Sequence, residues 1–151
     1  MILLLDVLAG QAAVLASALR VEGLDVLHTT NAAEARKVLA DGNVTLAVVD
    51  LMIRGEGIAN GLELARELRS VSPATRVLLT SAYHLSERQL ERADCGASGF
   101  IPKPYDVAEV VDFIRLKIAS PPSSRRLWHV EPRSGVVDVH GNGAAAAVRK
   151  N

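Results

Sequence analysis

Val44-Thr45-Leu46-Ala47-Val48-Val49-Asp50-Leu51-Met52 is a short apolar run that carries one carboxylate near its end. Its length, its β-branched residues and the turn-forming Asp41-Gly42-Asn43 ahead of it predict a strand buried on both faces. An acid at the carboxyl end of such a strand lies where open α/β sheets bind their ligands. Asp is also a common turn residue, so Asp50 on its own reads equally well as the start of a turn. The neighbouring segments shift the balance, because three other strand-like stretches also run into polar residues suited to one site.

Upstream, Ile2 to Leu5 reads as a buried strand ending at Asp6. From Ala9 to Glu22 the apolar residues Ala12, Leu15 and Leu19 recur at helical spacing, and Gly23 suits the positive-φ position that ends a helix. Leu24 to His28 is a second strand. Thr30 or Asn31 can cap a helix over Ala32 to Ala40, with Glu34 in its first turn, where an acid suits the macrodipole. Downstream, Ile53 to Asn60 reads as a loop by composition. Leu64, Leu68 and Val71 then predict a helix from Gly61 to Val71, stopped by Ser72-Pro73. Arg76 to Leu79 is a fourth strand, ending in Thr80-Ser81-Ala82. Ser86 caps a polar helix to about Cys95, which Gly96 terminates. Gly99 to Pro102 is a fifth strand that ends at Lys103-Pro104. Asp106 caps a last helix with Val107, Val110, Val111, Ile114 and Ile118 on one face. Strands and helices that alternate in this way predict an α/β, doubly wound, five-stranded parallel sheet with helices on both faces. In such a sheet Asp6, Asp50, Ser81 and Lys103 converge at one edge.

Residues 1–120 thus form one domain, and 121–151 a linker and C-terminal tail. Ser-Pro-Pro-Ser-Ser-Arg-Arg is a linker by composition. Leu127 to Val130 and Val136 to His140 alternate around Pro132-Arg133-Ser134-Gly135, which could close a β-hairpin at 127–140. An isolated hairpin is marginal in water, so this one needs a surface to pack on. With 17 basic and 17 acidic residues the net charge is zero, which argues against bulk attraction to nucleic acid or to acidic membranes. Met1 to Leu5 lacks a basic start and is too short to span a bilayer, so it reads as neither signal peptide nor anchor. The lone Cys95 permits no internal disulfide and fits a reducing, cytoplasmic setting. His28, His84, His129 and His140 lack the spacing of a zinc site. Arg125-Arg126 near Trp128 reads as a solubilising pair. Neither a nucleophile-elbow motif nor a phosphate-binding glycine loop is present.

The four converging residues suit phosphoryl chemistry. An Asp carboxylate can attack a phosphoryl group. Mg²⁺ takes oxygen ligands and keeps several waters, so one or two carboxylates suffice to hold it. A lysine can pair with a phosphoryl oxygen and a hydroxyl can donate to another.

The motifs in question are Leu4-Leu5-Asp6, Val48-Val49-Asp50-Leu51-Met52, Leu78-Leu79-Thr80-Ser81-Ala82 and Phe100-Ile101-Pro102-Lys103-Pro104-Tyr105. In this order and at this spacing they make the chain resemble the receiver domain of bacterial response regulators, over roughly Met1 to Ser120. The resemblance implies a flavodoxin-like (βα)5 fold with strand order 2-1-3-4-5. It implies that Asp50 is the phosphoacceptor and that Mg²⁺ is held by Asp6, Asp50 and the backbone carbonyl of Met52. Ser81, the backbone of Ala82 and Lys103 would bind the phosphoryl group, and the bond before Pro104 would be cis. Ser81 and Phe100 would form the switch; Thr80 stands one residue too early and strand alternation would point it away. Tyr83, His84, Arg88 and Tyr105 would lie on the interaction face. The implied partners are a histidine kinase or phosphotransfer protein and a downstream effector protein, with a homodimer left open and with neither nucleic acid nor membrane as partner.

Two departures from the family pattern matter. Receivers usually carry adjacent acids after the first strand, and here the pair reads Asp6-Val7. If Asp6 matches the first acid, the direct Mg²⁺ ligand is replaced by valine; a shifted register would make Asp6 that ligand. The loop after Met52 is also longer than usual, and Glu56 within it is either a replacement ligand or a solvated loop acid. The stretch therefore supports a stand-alone phosphorylated regulator, with a phosphorylation-independent pseudo-receiver as the alternative. A small phosphoryl-transfer enzyme lacks an evident substrate pocket or general acid, and the chain is not expected to be an enzyme.

Overall fold

A computed structural model describes residues 1–51, 57–83, 85–86, 88–89, 92, 96–120 and 128–129. The apolar runs form the strands. Every residue of β1 (Ile2–Leu5), β3 (Leu46–Asp50) and β4 (Arg76–Ser81) is buried, as strands covered on both faces must be. β2 (Val26–Thr29) lies at one edge with a mixed burial pattern, and β5 (Gly99–Pro102) flanks β4. All neighbours are parallel and the order is β2-β1-β3-β4-β5, which is the order that the resemblance implies. A two-residue strand, β6 (Trp128–His129), continues the sheet beyond the five expected strands. It pairs parallel to β5, with Gly99 opposite Trp128 and Phe100 opposite His129. The rest of the expected hairpin lies outside the described residues.

Helices cover both faces: α1 (Ala9–Val21), α2 (Ala32–Ala40), α3 (Gly57–Val71) and α4 (Val107–Ala119). Their ends follow from local chemistry. Gly23 takes φ +83° after α1; its N–H donates to Arg20 O at 2.9 Å and the Leu24 N–H donates to Leu19 O at 3.2 Å. That pair of bonds is a Schellman closure. It takes up the Leu24 amide, so the second strand starts at Val26 and runs to Thr29 rather than spanning Leu24 to His28. Of the two candidate caps of α2, Asn31 serves, accepting from the Ala33 and Glu34 N–H groups at 2.8 and 3.2 Å. Asp106 caps α4 through the Glu109 N–H. Ser86 and Gln89 exchange bonds reciprocally, Gln89 N–H to Ser86 Oγ at 3.1 Å and Ser86 N–H to Gln89 Oε1 at 2.7 Å, which is a capping box. Most of the helix expected after it lies outside the described residues.

The expected loop over Ile53 to Asn60 is overturned in its second half, because α3 already begins at Gly57. Gly57 and Asn60 are weak helix formers and hid the extra turn; tertiary packing overrides such propensities. That packing is visible at Gly61. A Cβ there would lie 2.4 Å from Leu51 O, so α3 crosses the end of β3 backbone to backbone. The fourth strand likewise continues past Leu79 to Ser81.

Strand alternation divides the core in two. Leu3, Leu5, Val49, Leu79 and Phe100 pack with Leu64 and Leu68 of α3 on one face. Ile2, Leu4, Val48, Leu78 and Ile101 pack with Leu15 and Leu19 of α1 and Ile114 of α4 on the other. Lys117 of α4 is buried as well, and its ammonium is pushed below the usual lysine range by burial and by the charge of Arg76. The Arg76 guanidinium donates to Ser120 O at the C-terminal end of that helix. Among the described residues no helix is long and apolar enough to cross a membrane.

Candidate functional site

Parallel register brings the polar strand ends together. Leu5 is opposite Val49, so Asp6 follows β1 beside the end of β3, and Asp50 is opposite Thr80. Ser81 is opposite Pro102, and the Lys103 N–H donates to Ser81 O at 2.9 Å, which fixes the lysine against β4. The Lys103–Pro104 bond is cis.

At this edge the Lys103 ammonium sits between two carboxylates. Its Nζ lies 2.9 Å from Asp6 Oδ2 and 3.0 Å from Oδ1, and 3.2 Å from Asp50 Oδ2. All three groups are buried. Charges out of water persist only when paired and hydrogen-bonded. One ammonium between two carboxylates leaves a formal charge of about −1, a local excess suited to a further cation.

Asp6 is held from two more sides. Its N–H donates to Thr29 O at 3.1 Å, and Oδ1 accepts from the Leu8 N–H at 2.8 Å. The second bond is an Asx-turn, in which an Asp side chain mimics the backbone two residues on. Sequence reasoning passed over Leu8, whose contribution is a main-chain donor; only the two-residue offset from Asp6 could have signalled it. His28 lies in β2, and its Nε2 is 3.3 Å from the Asp6 carbonyl oxygen.

The two hydroxyls of β4 are both buried but differ in their ties. Thr80 Oγ donates to Ile101 O at 2.8 Å. Ser81 Oγ accepts from the Tyr83 N–H at 2.9 Å, which leaves its own hydrogen to be donated. Phe100 is wholly buried in the core face that also holds Leu5 and Val49. Tyr105 is partly buried against the opposite face. Burial, reinforced by the negative field of Asp6 and Asp50, pushes its phenol above the ordinary tyrosine range. Ala82, Tyr83 and Arg88 are exposed, whereas Met52, Glu56 and His84 lie outside the described residues. The structure thus brings Asp6, Asp50 and Lys103 into direct contact and sets Ser81 at the adjoining strand end.

The donor set fits a hard divalent cation. Two carboxylates supply oxygen, and Mg²⁺ needs few protein ligands because it retains water. Val7, next to Asp6 and only partly buried, offers no side-chain oxygen. Among the described residues no cluster of three or more His, Cys, Asp or Glu gathers anywhere.

Comparison with known proteins places this arrangement. The family profile described as response regulator receiver domain matches residues 2–115. The DNA-binding transcriptional regulator NtrC of Azospirillum brasilense is 31% identical over 113 residues, covering 74% of this chain and 23% of that protein. The chain thus spans about a quarter of the length of that relative. A Burkholderia pseudomallei response regulator, solved with a phosphorylated aspartic acid and a calcium ion, superposes with a TM-score of 0.63 at 25% identity, over 78% of this chain and 72% of that one. TrrA of Thermotoga maritima, solved in complex with Mg(2+)-BeF, superposes with a TM-score of 0.64 at 26% identity, over 78% of this chain and 96% of that one. The sheet order, the buried acid–lysine cluster and these matches converge: the chain belongs to the response regulator receiver domain family.

Proposed function

We propose that this receiver takes a phosphoryl group onto Asp50 from the phosphohistidine of a kinase or phosphotransfer protein, and that the charged domain then engages an effector protein. The observation that carries this reading is the Lys103 ammonium held within 3.2 Å of both buried carboxylates. In the reaction an Asp50 carboxylate oxygen forms a bond to phosphorus while the phosphorus–nitrogen bond of the donor breaks, and the imidazole leaves with the electron pair. Asp50 starts as the anion, so no proton has to be removed. Lys103 is placed to turn from the carboxylates to the incoming phosphoryl oxygens, and Ser81 has a hydrogen to donate to another. Asp6, Asp50 and the Met52 backbone carbonyl would hold Mg²⁺, which supplies charge neutralisation to the transferring group. Tyr83 and Arg88, exposed beyond β4, belong on the face that changes, together with Tyr105.

A second reading has its own support. Val7 stands where the family carries an acid and offers no side-chain oxygen, while Lys103 pairs with both carboxylates. A domain satisfied in that way could serve as a phosphorylation-independent interaction module.

Incubation with a small phosphodonor and Mg²⁺, followed by intact mass measurement, separates the two. The switch reading expects a gain of one phosphoryl mass that Asp50→Asn abolishes. No gain across a range of Mg²⁺ concentrations, together with no binding of beryllofluoride, favours the phosphorylation-independent module.

A further inference from the structure

Arg76 opens β4 and Lys117 lies near the end of α4, and both are buried, at 9% and 1% exposure. They sit at the amino-terminal end of β4, whereas Ser81 ends that strand at the Asp50 site. Phosphoryl transfer therefore makes no use of either cation. A short series of bonds holds them at one place. The Arg76 N–H donates to Thr45 O at 3.0 Å, the Arg76 guanidinium donates to Ser120 O, and the Ser120 N–H donates to Lys117 O at 3.2 Å. The guanidinium is thereby fixed against the turn that carries Lys117.

Two features at this place ask for an anion. Arg76 Nε is buried and has no hydrogen-bond partner among the described residues, and no carboxylate among them pairs with Arg76. A buried N–H without an acceptor is rare in a native fold. The second feature is the neighbouring amine. Burial and the charge of Arg76 both push Lys117 toward its neutral form. A neutral amine is a nucleophile, and lysines desolvated beside a second cation are among those that act as one. An electrophile that turned Lys117 from cation to anion would remove the repulsion and give Arg76 its acceptor at once. CO₂ does this, and being small and uncharged it carries no desolvation cost of the kind a buried ion incurs.

We propose that Lys117 is a carbamylation site for CO₂, with the new carboxylate accepting from Arg76 Nε. The ammonium first gives up a proton to water. The amine lone pair then forms a bond to the carbon of CO₂, one carbon–oxygen π pair moves onto oxygen, and the nitrogen passes a second proton to water. The side chain changes from +1 to −1, and the pair of like charges becomes a guanidinium–carboxylate pair, the stronger kind of hydrogen bond. It fastens the end of α4 to the start of the strand that carries Ser81.

The test uses the full chain in ¹³C-labelled bicarbonate at mildly alkaline pH. Triethyloxonium fixes any carbamate as its ethyl ester, and peptide mass spectrometry locates it. The exposed Met1 ammonium, which donates to Asn43 O at 3.0 Å, is the internal reference, and CO₂ is raised until Met1 is labelled. The expected result is a labelled Lys117, above the level found on the exposed Lys37. Labelled Met1 with Lys117 unlabelled, or Lys117 labelled no more than Lys37, overturns the proposal. Arg76→Gln keeps a donor but loses the charge, and should lower the Lys117 label about tenfold relative to Met1, the scale of one hydrogen bond to a charged group. An unchanged label in that variant removes Arg76 as the partner and refutes the site. If Arg76→Gln does not fold, the parent chain decides through its thermal unfolding in bicarbonate against chloride at equal pH and ionic strength. A higher melting temperature in bicarbonate is expected, because CO₂ taken up by the folded chain stabilises it, and equal melting overturns the proposal.

Discussion

Lys103 is a cation whose removal leaves two buried carboxylates facing each other without their shared ammonium. Lys103→Met should therefore cost about 3 kcal/mol of unfolding free energy, the scale on which breaking a buried ion pair acts. Urea denaturation at neutral pH measures it, and a loss no larger than that of an ordinary surface substitution would show that the acids are otherwise satisfied. Val7 tests the opposite side of the cluster. Val7→Asp adds an oxygen ligand beside Asp6 and should tighten Mg²⁺ binding by about tenfold or more, since affinity follows ligand charge. Titration calorimetry reads the change, and equal affinities in the two proteins would mean that residue 7 does not face the cation. Asp6, Asp50, Ser81 and Lys103 could all be singled out from the sequence, because each is a polar residue at the end of an apolar run. What could not be read there was the distribution of bonds among them. That Ser81 keeps a hydrogen to donate while Thr80 spends its own on Ile101 O depends on a neighbouring strand and on a turn, which spacing alone does not reveal.

Helix α3 shows why boundaries are harder to read than elements. Leu64 and Leu68 announced the helix, but its first turn carries Gly57 and Asn60 and looked like loop. Gly61 held the clue, since a glycine inside a helix implies close approach of another backbone, here Leu51 directly after Asp50. Gly61→Ala should destabilise the domain by about 2 kcal/mol, the usual cost of forcing atoms into a filled space. Chemical denaturation with the phosphodonor assay run in parallel should find that stability and Asp50 loading fall together. A fully stable variant would mean that α3 can shift outward freely. The N-caps Asn31 and Asp106, by contrast, were legible because a cap is decided by one side chain and the two or three amides after it.

At the scale of the molecule, the two perturbed groups on α4 and just before it give stability a pH signature. Tyr105 is held protonated above its ordinary value of 10.0. Above that pH the unfolded chain sheds this proton while the folded chain keeps it, so stability should fall as pH rises. Lys117 is shifted the other way, below 10.5. As pH climbs toward that value the unfolded chain binds more protons than the folded one, and stability should rise. Thermal melts across alkaline pH should therefore lose their fall in Tyr105→Phe and their preceding rise in Lys117→Met; profiles that superpose on the parent would show that other groups govern the alkaline limb. The fold class and strand order were legible from alternation and motif, and Leu127 to Val130 read as a strand, but its parallel pairing with β5 was not legible, because so short a stretch reveals neither a direction nor a neighbour. The order β2-β1-β3-β4-β5-β6 also carries a consequence for biosynthesis. The first strand made lies inside the sheet, and from β3 onward every strand joins the same growing margin in the order in which a ribosome delivers it. Asp6 and Asp50 meet once β3 is laid down, some fifty residues before Lys103 is translated. A nascent chain paused at that stage holds two acids side by side with no ammonium between them, so the last of the five long strands to emerge is also the one that brings the charge.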